Sequence, residues 1–490
     1  MHALSDALIF IDGKFRQADN GAMFDIINPW TGQVAGRAAD AGTSDTTAAI
    51  ASARHAFDTT NWKHDHTYRL EVMTRYAKLL RENRAELLQI ARLEAGAAVG
   101  AGARAHVDGA LDGMDDLIQC FSQVVFEEQR PDRTVNGTLN VRTVRYEPLG
   151  VVAAITPWNV PLYVNVGKMG AALLAGCTVI LKPAPDTPKM ASFMAEIAVE
   201  AGLPAGVFNV LPSSDPALVG EQLVASPLVD CISFTGSTAI GKHIMRQGAE
   251  TMKRVFLELG GKSVNIVLDD APDFTMAIAS SMVVFHAGQG CAYPTRLLVP
   301  KSRYQEACAI LQGAYAHFDS QWGDFEEPTC IMGPVISAKQ RDRVMEYIRV
   351  GQEEGARLLT GGELRPDKGD GFFIAPTCFV DVDNSMRIAR EEIFGPVLVV
   401  IPFEDDEDAV RIANDSDYGL GGMVTSGDEA RALRMAERIE AGCISVNGGM
   451  SILGDLPFGG YKSSGIGREW GHEGIEEFLQ TKAIAIARQS

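Results

Sequence analysis

The sequence predicts an α/β protein built on doubly wound parallel sheets, and three observations carry that prediction. From Val151 onward, short β-branched apolar runs alternate with helix-length amphipathic segments, as parallel strands and their crossover helices do. Helical segments stop at glycine, as 190–200 does at Gly202, where a residue free to turn left-handed can close a helix. A chain of 490 residues is too long for one ordinary core, so two or three domains are expected.

The first 125 residues read as mostly helical. Between Tyr68 and Ala95, Leu70, Met73, Tyr76, Leu79, Leu80, Leu87, Leu88, Ile90 and Leu93 recur at helical spacing. Buried strands are then expected at 151–155, 177–181, 207–211, 231–234 and 264–268. A second series places strand 295–299 before helix 303–317, and strand 397–401 before helix 406–414. Strand 422–425 leads into helix 429–440, and strand 443–446 follows. Two stretches, 138–146 and 481–487, alternate side chains at period two, like half-exposed strands. They suit either a projecting arm or an internal hairpin edge.

Composition narrows the function classes. The net charge of −19 argues against nucleic acid or an anionic membrane as the main partner. Every apolar run is interrupted before it reaches membrane-spanning length. The start, Met1-His2-Ala3-Leu4-Ser5-Asp6, lacks the basic and apolar regions of a secretory signal, so the cytoplasm is the expected compartment. The eight cysteines are scattered, with no C-x-x-C pair and no zinc-like Cys/His spacing, which predicts reduced thiols and no metal site.

Cys291 alone among them has a glycine-rich approach, Gly288-Gln289-Gly290-Cys291-Ala292. Glu258 precedes the Gly-Gly turn of Leu257-Glu258-Leu259-Gly260-Gly261-Lys262, on backbone free to adopt unusual angles. Together they suggest a thiol nucleophile with a separate general base. Asn159, in Ile155-Thr156-Pro157-Trp158-Asn159-Val160-Pro161, ends a predicted strand, where open α/β sheets bind ligands. Its amide suits an oxyanion, and it equally suits a local backbone cap. Lys182 also follows a strand and can reach a ribose or phosphate, or simply stay solvated. The run Phe234-Thr235-Gly236-Ser237-Thr238 joins a strand to a helix whose free N–H groups can hold a pyrophosphate. Glu391-Glu392-Ile393-Phe394-Gly395-Pro396 sets carboxylates and an aromatic beside a turn, as a ribose and ring site or as a plain connection.

Taken in order, these motifs resemble the aldehyde dehydrogenase superfamily over essentially the whole chain, with Glu-Leu-Gly-Gly-Lys and Gly-Gln-Gly-Cys the most specific. The resemblance implies a Rossmann-like cofactor domain (1–127 and 149–258), a second α/β catalytic domain (259–462) and a small β oligomerisation arm (128–148 and 475–490). It implies a homodimer or homotetramer. Position by position, Cys291 matches the nucleophile, Glu258 the general base, Asn159 the oxyanion amide and Lys168 the lysine beside the catalytic machinery. Lys182 matches a contact to the adenosine ribose, Ser237 a pyrophosphate contact, and Glu392 and Phe394 the nicotinamide ribose and ring contacts. Ile155, Thr156, Pro157, Trp158, Gly236 and Leu259 fall along the same cofactor site.

The implied chemistry is NAD(P)-dependent oxidation of an aldehyde to its acid through a Cys291 thiohemiacetal and thioester, which Glu258 and water then release. Pro185 stands three positions after Lys182, where the family often has an acid that would repel a 2′-phosphate, so NAD is expected with NADP use possible. Positions matching the substrate tunnel hold Val160, Tyr163, Val164, Gly167, Phe285, Ala292, Met450, Ile452 and Phe458, with no Arg or Lys to grip a substrate carboxylate. Gly167 takes a place often given to a large aromatic, which predicts a widened tunnel and a bulky or extended hydrophobic aldehyde, aliphatic, terpenoid or aromatic. The alternatives are a CoA-acylating enzyme, in which a water-activating Glu258 has little use, and a catalytically silent protein, which should lack one of Cys291, Glu258 or Asn159.

Overall fold

The computed structural model describes residues 4–322, 327 and 329–488. Residues 1–3, 323–326, 328, 489 and 490, which belong to the expected start, catalytic segment and arm, lie outside the described residues. Two open sheets organise the chain. The first has eight strands in the order Lys14–Arg16, Ile9–Ile11, Phe208–Val210, Thr178–Lys182, Val151–Ile155, Cys231–Thr235, Arg254–Glu258 and Gly465–Ile466. Its five central strands are parallel, and its edges are antiparallel. The strands at its centre are buried on both faces, which is why they read as continuous apolar runs instead of alternating.

Register decides where this sheet places chemistry. Ile155 pairs with Lys182 and with Phe234, and Thr235 pairs with Glu258. The carboxyl ends of four neighbouring strands therefore finish level, the edge at which open α/β sheets receive ligands. Between two of them runs the helix Pro161–Ala175, opened by a proline at its first position and closed by Gly176 at φ 102°. Nearly every residue of this helix is buried, Lys168 included.

The second sheet has seven strands: Arg357–Thr360, Thr377–Val380, Val397–Phe403, Arg296–Pro300, Val264–Val267, Gly421–Thr425 and Cys443–Val446. All pairs are parallel except that at the Arg357–Thr360 edge. The two alternating stretches find each other across the chain: Thr138–Pro148 lies antiparallel between Glu127–Val135 and Leu479–Arg488, with Tyr146 opposite Thr481. Most side chains of this three-stranded sheet face solvent. Among the described residues, no helix is long and apolar enough to cross a membrane.

The structure corrects three expectations. The N-terminal region is mostly helical as expected, but its helices begin only at Thr43, because Ile9–Ile11, Lys14–Arg16, Met23–Ile27 and Val34–Ala39 are strands. The signal was present in Asp12-Gly13, whose φ values of 53° and 74° form a tight hairpin turn. The helical stripe from Tyr68 to Ala95 divides at Asn83 into His66–Glu82 and Arg84–Ala95, and the Asn83 amide donates to the Leu79 carbonyl at 2.9 Å. The helix expected at 429–440 ends at Ala436. Among the strands not anticipated is Arg254–Glu258, which delivers Glu258.

Candidate active site

The chain approaches Cys291 through three consecutive left-handed residues, His286 (φ 46°), Ala287 (φ 50°) and Gly288 (φ 70°). Non-glycine residues held there are strained, and such strain concentrates at functional loops. Gln289 anchors the loop from inside. Its side chain donates to the carbonyls of His286 (3.1 Å) and Pro334 (3.3 Å) and accepts the Ile336 N–H at 2.8 Å. The buried Asn159 amide donates to the Gln289 carbonyl at 3.0 Å. One amide hydrogen thus ties Asn159 to the loop. Cys291 itself is partly exposed. Gly261 packs against its carbonyl so closely that any β-carbon there would strike it.

Glu258 ends its strand fully enclosed, and neither carboxyl oxygen is hydrogen-bonded among the described residues. A β-carbon at Gly459 would lie 2.8 Å from its Oε1, so glycine lets the chain cover the carboxyl. Burial holds the Glu258 proton well above the usual carboxylate range; the nearby Glu469 charge adds to this, and Lys168 opposes it. Burial likewise pushes the Cys291 thiol up, helped by Glu258 and Glu392. Both groups therefore hold their protons more tightly than in water. Each resists ionisation while the other is charged, so they are suited to act in turn and not as a tight ion pair.

Lys168 is fully buried. Its ammonium meets Glu469 Oε1 at 2.6 Å and Ser233 Oγ at 3.1 Å, and lies 5.1 Å from the centre of the Phe256 ring. A buried ammonium survives only with such partners. The pair shapes the local field: the Glu469 charge raises the pKa of Glu258 and Lys168 lowers it.

The level strand ends form the cofactor-side wall. Lys182 Nζ is buried and donates to the Pro183 carbonyl at 3.0 Å, and burial lowers its pKa to about 8. Asp215 and Asp186 act on that ammonium in the opposite sense. Ser237 caps the helix Thr238–Gly248, and Gly236 N–H donates to the Glu258 carbonyl at 3.0 Å. Leu259 N–H donates to the Ser464 carbonyl at 2.8 Å. Glu392 Oε1 accepts the Gly261 N–H at 3.0 Å, and burial raises its pKa to about 7. Phe394 sits at φ 61° with its ring edge-on to Trp158, centroids 5.3 Å apart. Pro157 and Pro185 are half-buried in the same wall, which starts from Ile155. Two buried hydroxyls at adjacent strand ends, Thr156 Oγ1 and Thr235 Oγ1, make no hydrogen bond among the described residues. This wall therefore presents a buried cation, two open hydroxyls, a helix start, a carboxylate and an aromatic pair, a donor set matched to a dinucleotide.

Tyr163 lies near enough to Cys291 to feel its charge and Ala292 follows it in the chain, while Phe285 faces Tyr293 with centroids 6.2 Å apart; Val164 and Phe458 are buried. Val160 is half-buried ahead of the helix that carries Tyr163. Met450 and Ile452 are 70% and 39% exposed, so they belong to an outer loop and not to an enclosed lining. The expected widening at Gly167 does not occur. A β-carbon there would lie 2.9 Å from Trp470 Cζ2, because the indole of Trp470 already fills the space.

Three comparisons bear on this arrangement. The model of the Aldehyde dehydrogenase family matches residues 15–484. The chain belongs to the aldehyde dehydrogenase family. Geranial dehydrogenase of Castellaniella defragrans is 39% identical over 481 residues, 98% of each chain. Aldehyde dehydrogenase C of Pseudomonas syringae, a cysteine-to-alanine mutant crystallised with NAD+ and octanal, is 39% identical with a TM-score of 0.90, over 97% of this chain and 96% of that one. Betaine aldehyde dehydrogenase of Staphylococcus aureus with NAD+ is 34% identical with a TM-score of 0.93, over 98% and 94%. This aldehyde dehydrogenase thus shares the mixed α/β fold with parallel sheets that the sequence predicts.

Sequence reasoning missed Glu469, Ser233, Gln289 and Trp470. Glu469 meets Lys168 from 301 positions away, and no local pattern announces such a pair. Gln289 stood inside the quoted cysteine motif, but its side chain works on backbone that only the folded loop brings near.

Behind the loop, His106 and His286 are both buried, with ring centroids 4.3 Å apart. Burial lowers His286 to about 4 and His106 well below its ordinary value. The unfolded chain takes up these protons near pH 6.5, whereas in the fold His286 resists until about pH 4 and His106 is likewise held well below its ordinary value. Their contribution is complete above pH 6.5 and is lost as pH falls toward 4, costing about 3 kcal/mol for His286 alone. Denaturant unfolding at pH 7.5 and 4.5 is expected to show a smaller loss in His106→Leu than in wild type; equal losses would refute this account.

Proposed function

We propose that this chain oxidises an extended hydrophobic aldehyde to its carboxylic acid with NAD+, by covalent catalysis at Cys291. The observation that carries the reading is the meeting of Cys291, the Asn159 amide and the buried Glu258 beside a wall suited to a dinucleotide. The Cys291 sulfur passes its proton to water and attacks the aldehyde carbon, whose C=O π electrons move to oxygen. The Asn159 amide and the Cys291 N–H hold the oxyanion of the thiohemiacetal, an effect worth roughly 3–4 kcal/mol for one good donor. Bound NAD+, held by Lys182, Ser237, Glu392 and Phe394, supplies the hydride acceptor. Glu258 then takes a proton from the water that opens the Cys291 thioester, and Lys168 with Glu469 sets the charge around it. The enclosed carboxyl favours this hydrolytic outcome over transfer to CoA.

Several features support the substrate class. Beside the carboxyls of Glu258 and Glu392, Cys291 is near the aromatic Tyr163, and Asp116, held up by burial and by Asp455, Asp112 and Asp115, is close enough to act on Tyr163. An anionic semialdehyde would meet this acidic surface. The relatives named for geranial and crystallised with octanal point the same way. We further propose a cytoplasmic homo-oligomer joined through the three-stranded sheet at 127–148 and 479–488, and the domain division 1–127 with 149–258, then 259–462.

The test is NADH formation across an aldehyde panel. Octanal is expected to exceed succinic semialdehyde in kcat/KM by at least about tenfold; the reverse order would overturn the substrate reading. With Asp215 and Asp186 beside Lys182, a 2′-phosphate should be repelled, so kcat/KM with NAD+ is expected to exceed that with NADP+. A preference for NADP+ would refute the coenzyme assignment.

A further inference from the structure

Two glycines on neighbouring helices face one side chain. Gly113, on Gly109–Phe121, and Gly167, on Pro161–Ala175, both lie against the indole of Trp470. A β-carbon at Gly113 would come within 2.7 Å of Cζ3, and one at Gly167 within 2.9 Å of Cζ2. The volume that two ordinary side chains would take is occupied instead by one residue from a distant loop. Trp470 has no solvent exposure and its Nε1 has no hydrogen-bond partner among the described residues. Its φ is 63°, a conformation a bulky residue rarely adopts. The backbone holds this strain while Glu469 meets Lys168 and the next residue, Trp470, fits against Gly167. Two consecutive loop residues thus engage two consecutive helix residues.

The indole is linked to the reaction centre through Tyr163. It packs on Tyr163 with centroids 4.6 Å apart at 42°, and Tyr163 lies close enough to Cys291 and Glu469 for both charges to act on it. Cys291 and Ala292 border the same apolar cluster. We infer that Trp470 is a positioning residue for specificity: packed behind Tyr163, it holds that ring in place, so that aldehydes slim near the carbonyl are admitted and those branched there are excluded. This inference rests on the proposed reading of the chain as an oxidiser of extended apolar aldehydes. It reverses the expectation from Gly167, since that glycine makes room for the protein's own indole and not for a bulkier substrate.

The experiment compares octanal with cyclohexanecarboxaldehyde in wild type, Trp470→Leu, Gly167→Ala and the double variant, following NADH formation. Wild type is expected to favour octanal by at least about tenfold in kcat/KM, the scale on which a pocket rejects misplaced methylenes. Trp470→Leu should shrink that ratio by about tenfold while the KM for NAD+ stays unchanged. Gly167→Ala alone should lose activity through its clash with the indole, and the same change should be tolerated in the Trp470→Leu background, a coupling that additive structural damage would not produce. An unchanged substrate ratio in an active Trp470→Leu enzyme, or additive effects in the double variant, would overturn the inference. If wild type oxidised neither aldehyde, it is the proposed function that would fall.

Discussion

Cys291→Ala is expected to lower aldehyde turnover by about 10⁴-fold or more while leaving the fold and coenzyme binding intact. The magnitude follows from what the thiol does: without it no covalent intermediate forms, and the remaining groups stabilise an oxyanion that never arises. No neighbouring thiol can substitute. Cys443 lies close enough to feel the Glu258 charge, but it is buried, and its thiol is pushed up chiefly by that burial. The wild-type pH profile carries a companion expectation. Because burial, Glu258 and Glu392 raise the Cys291 pKa, the reactive thiolate is the scarce form at neutral pH, and kcat/KM should climb as pH rises from 6 to 9. Coenzyme fluorescence quenching checks that the alanine variant still binds. Turnover within tenfold of wild type would remove Cys291 as nucleophile.

Much of this arrangement was legible in the sequence, for a physical reason that also marks the limit. Strand 151–155 was readable because central parallel strands are buried on both faces and leave an unbroken apolar run. Arg254–Glu258 was not, because it begins exposed at Arg254 and packs beside the short antiparallel edge Gly465–Ile466, so its pattern is neither continuous nor alternating. Cys291, Glu258 and Asn159 stood out through their glycine, proline and strand-end neighbours, which are local signals. Glu469 and Trp470 act only through contacts with Lys168, Gly113 and Gly167, set by tertiary packing. Gly167 shows the hazard most clearly. A glycine read along the chain is an opening, but in the fold an indole had already closed it.

Glu258→Gln separates the two halves of the reaction that Cys291→Ala removes together. The amide keeps the shape of the carboxyl, so thioester formation should continue, while water loses its base and hydrolysis slows by about 10²–10⁴-fold. Mixing enzyme, NAD+ and octanal should then give a rapid burst of NADH near one equivalent per site, followed by a slow steady rate, with the acyl group trapped on Cys291 and visible by mass spectrometry of the intact chain. The protonation of Glu258 shapes the wild-type comparison. Burial and the Glu469 charge hold its proton above the ordinary carboxylate range, so the fraction able to act as base grows with pH and deacylation should accelerate accordingly. That dependence should vanish in the glutamine variant, since an amide does not titrate. A burst of unchanged size with an unchanged steady rate would show that another group activates the water. A variant without any burst would instead place Glu258 in the first step, drawing the proton from the Cys291 thiol. Burial holds the Glu258 proton, and a charged Glu258 would in turn raise the Cys291 thiol, so the two are not expected to ionise together and the first pattern is the expected one.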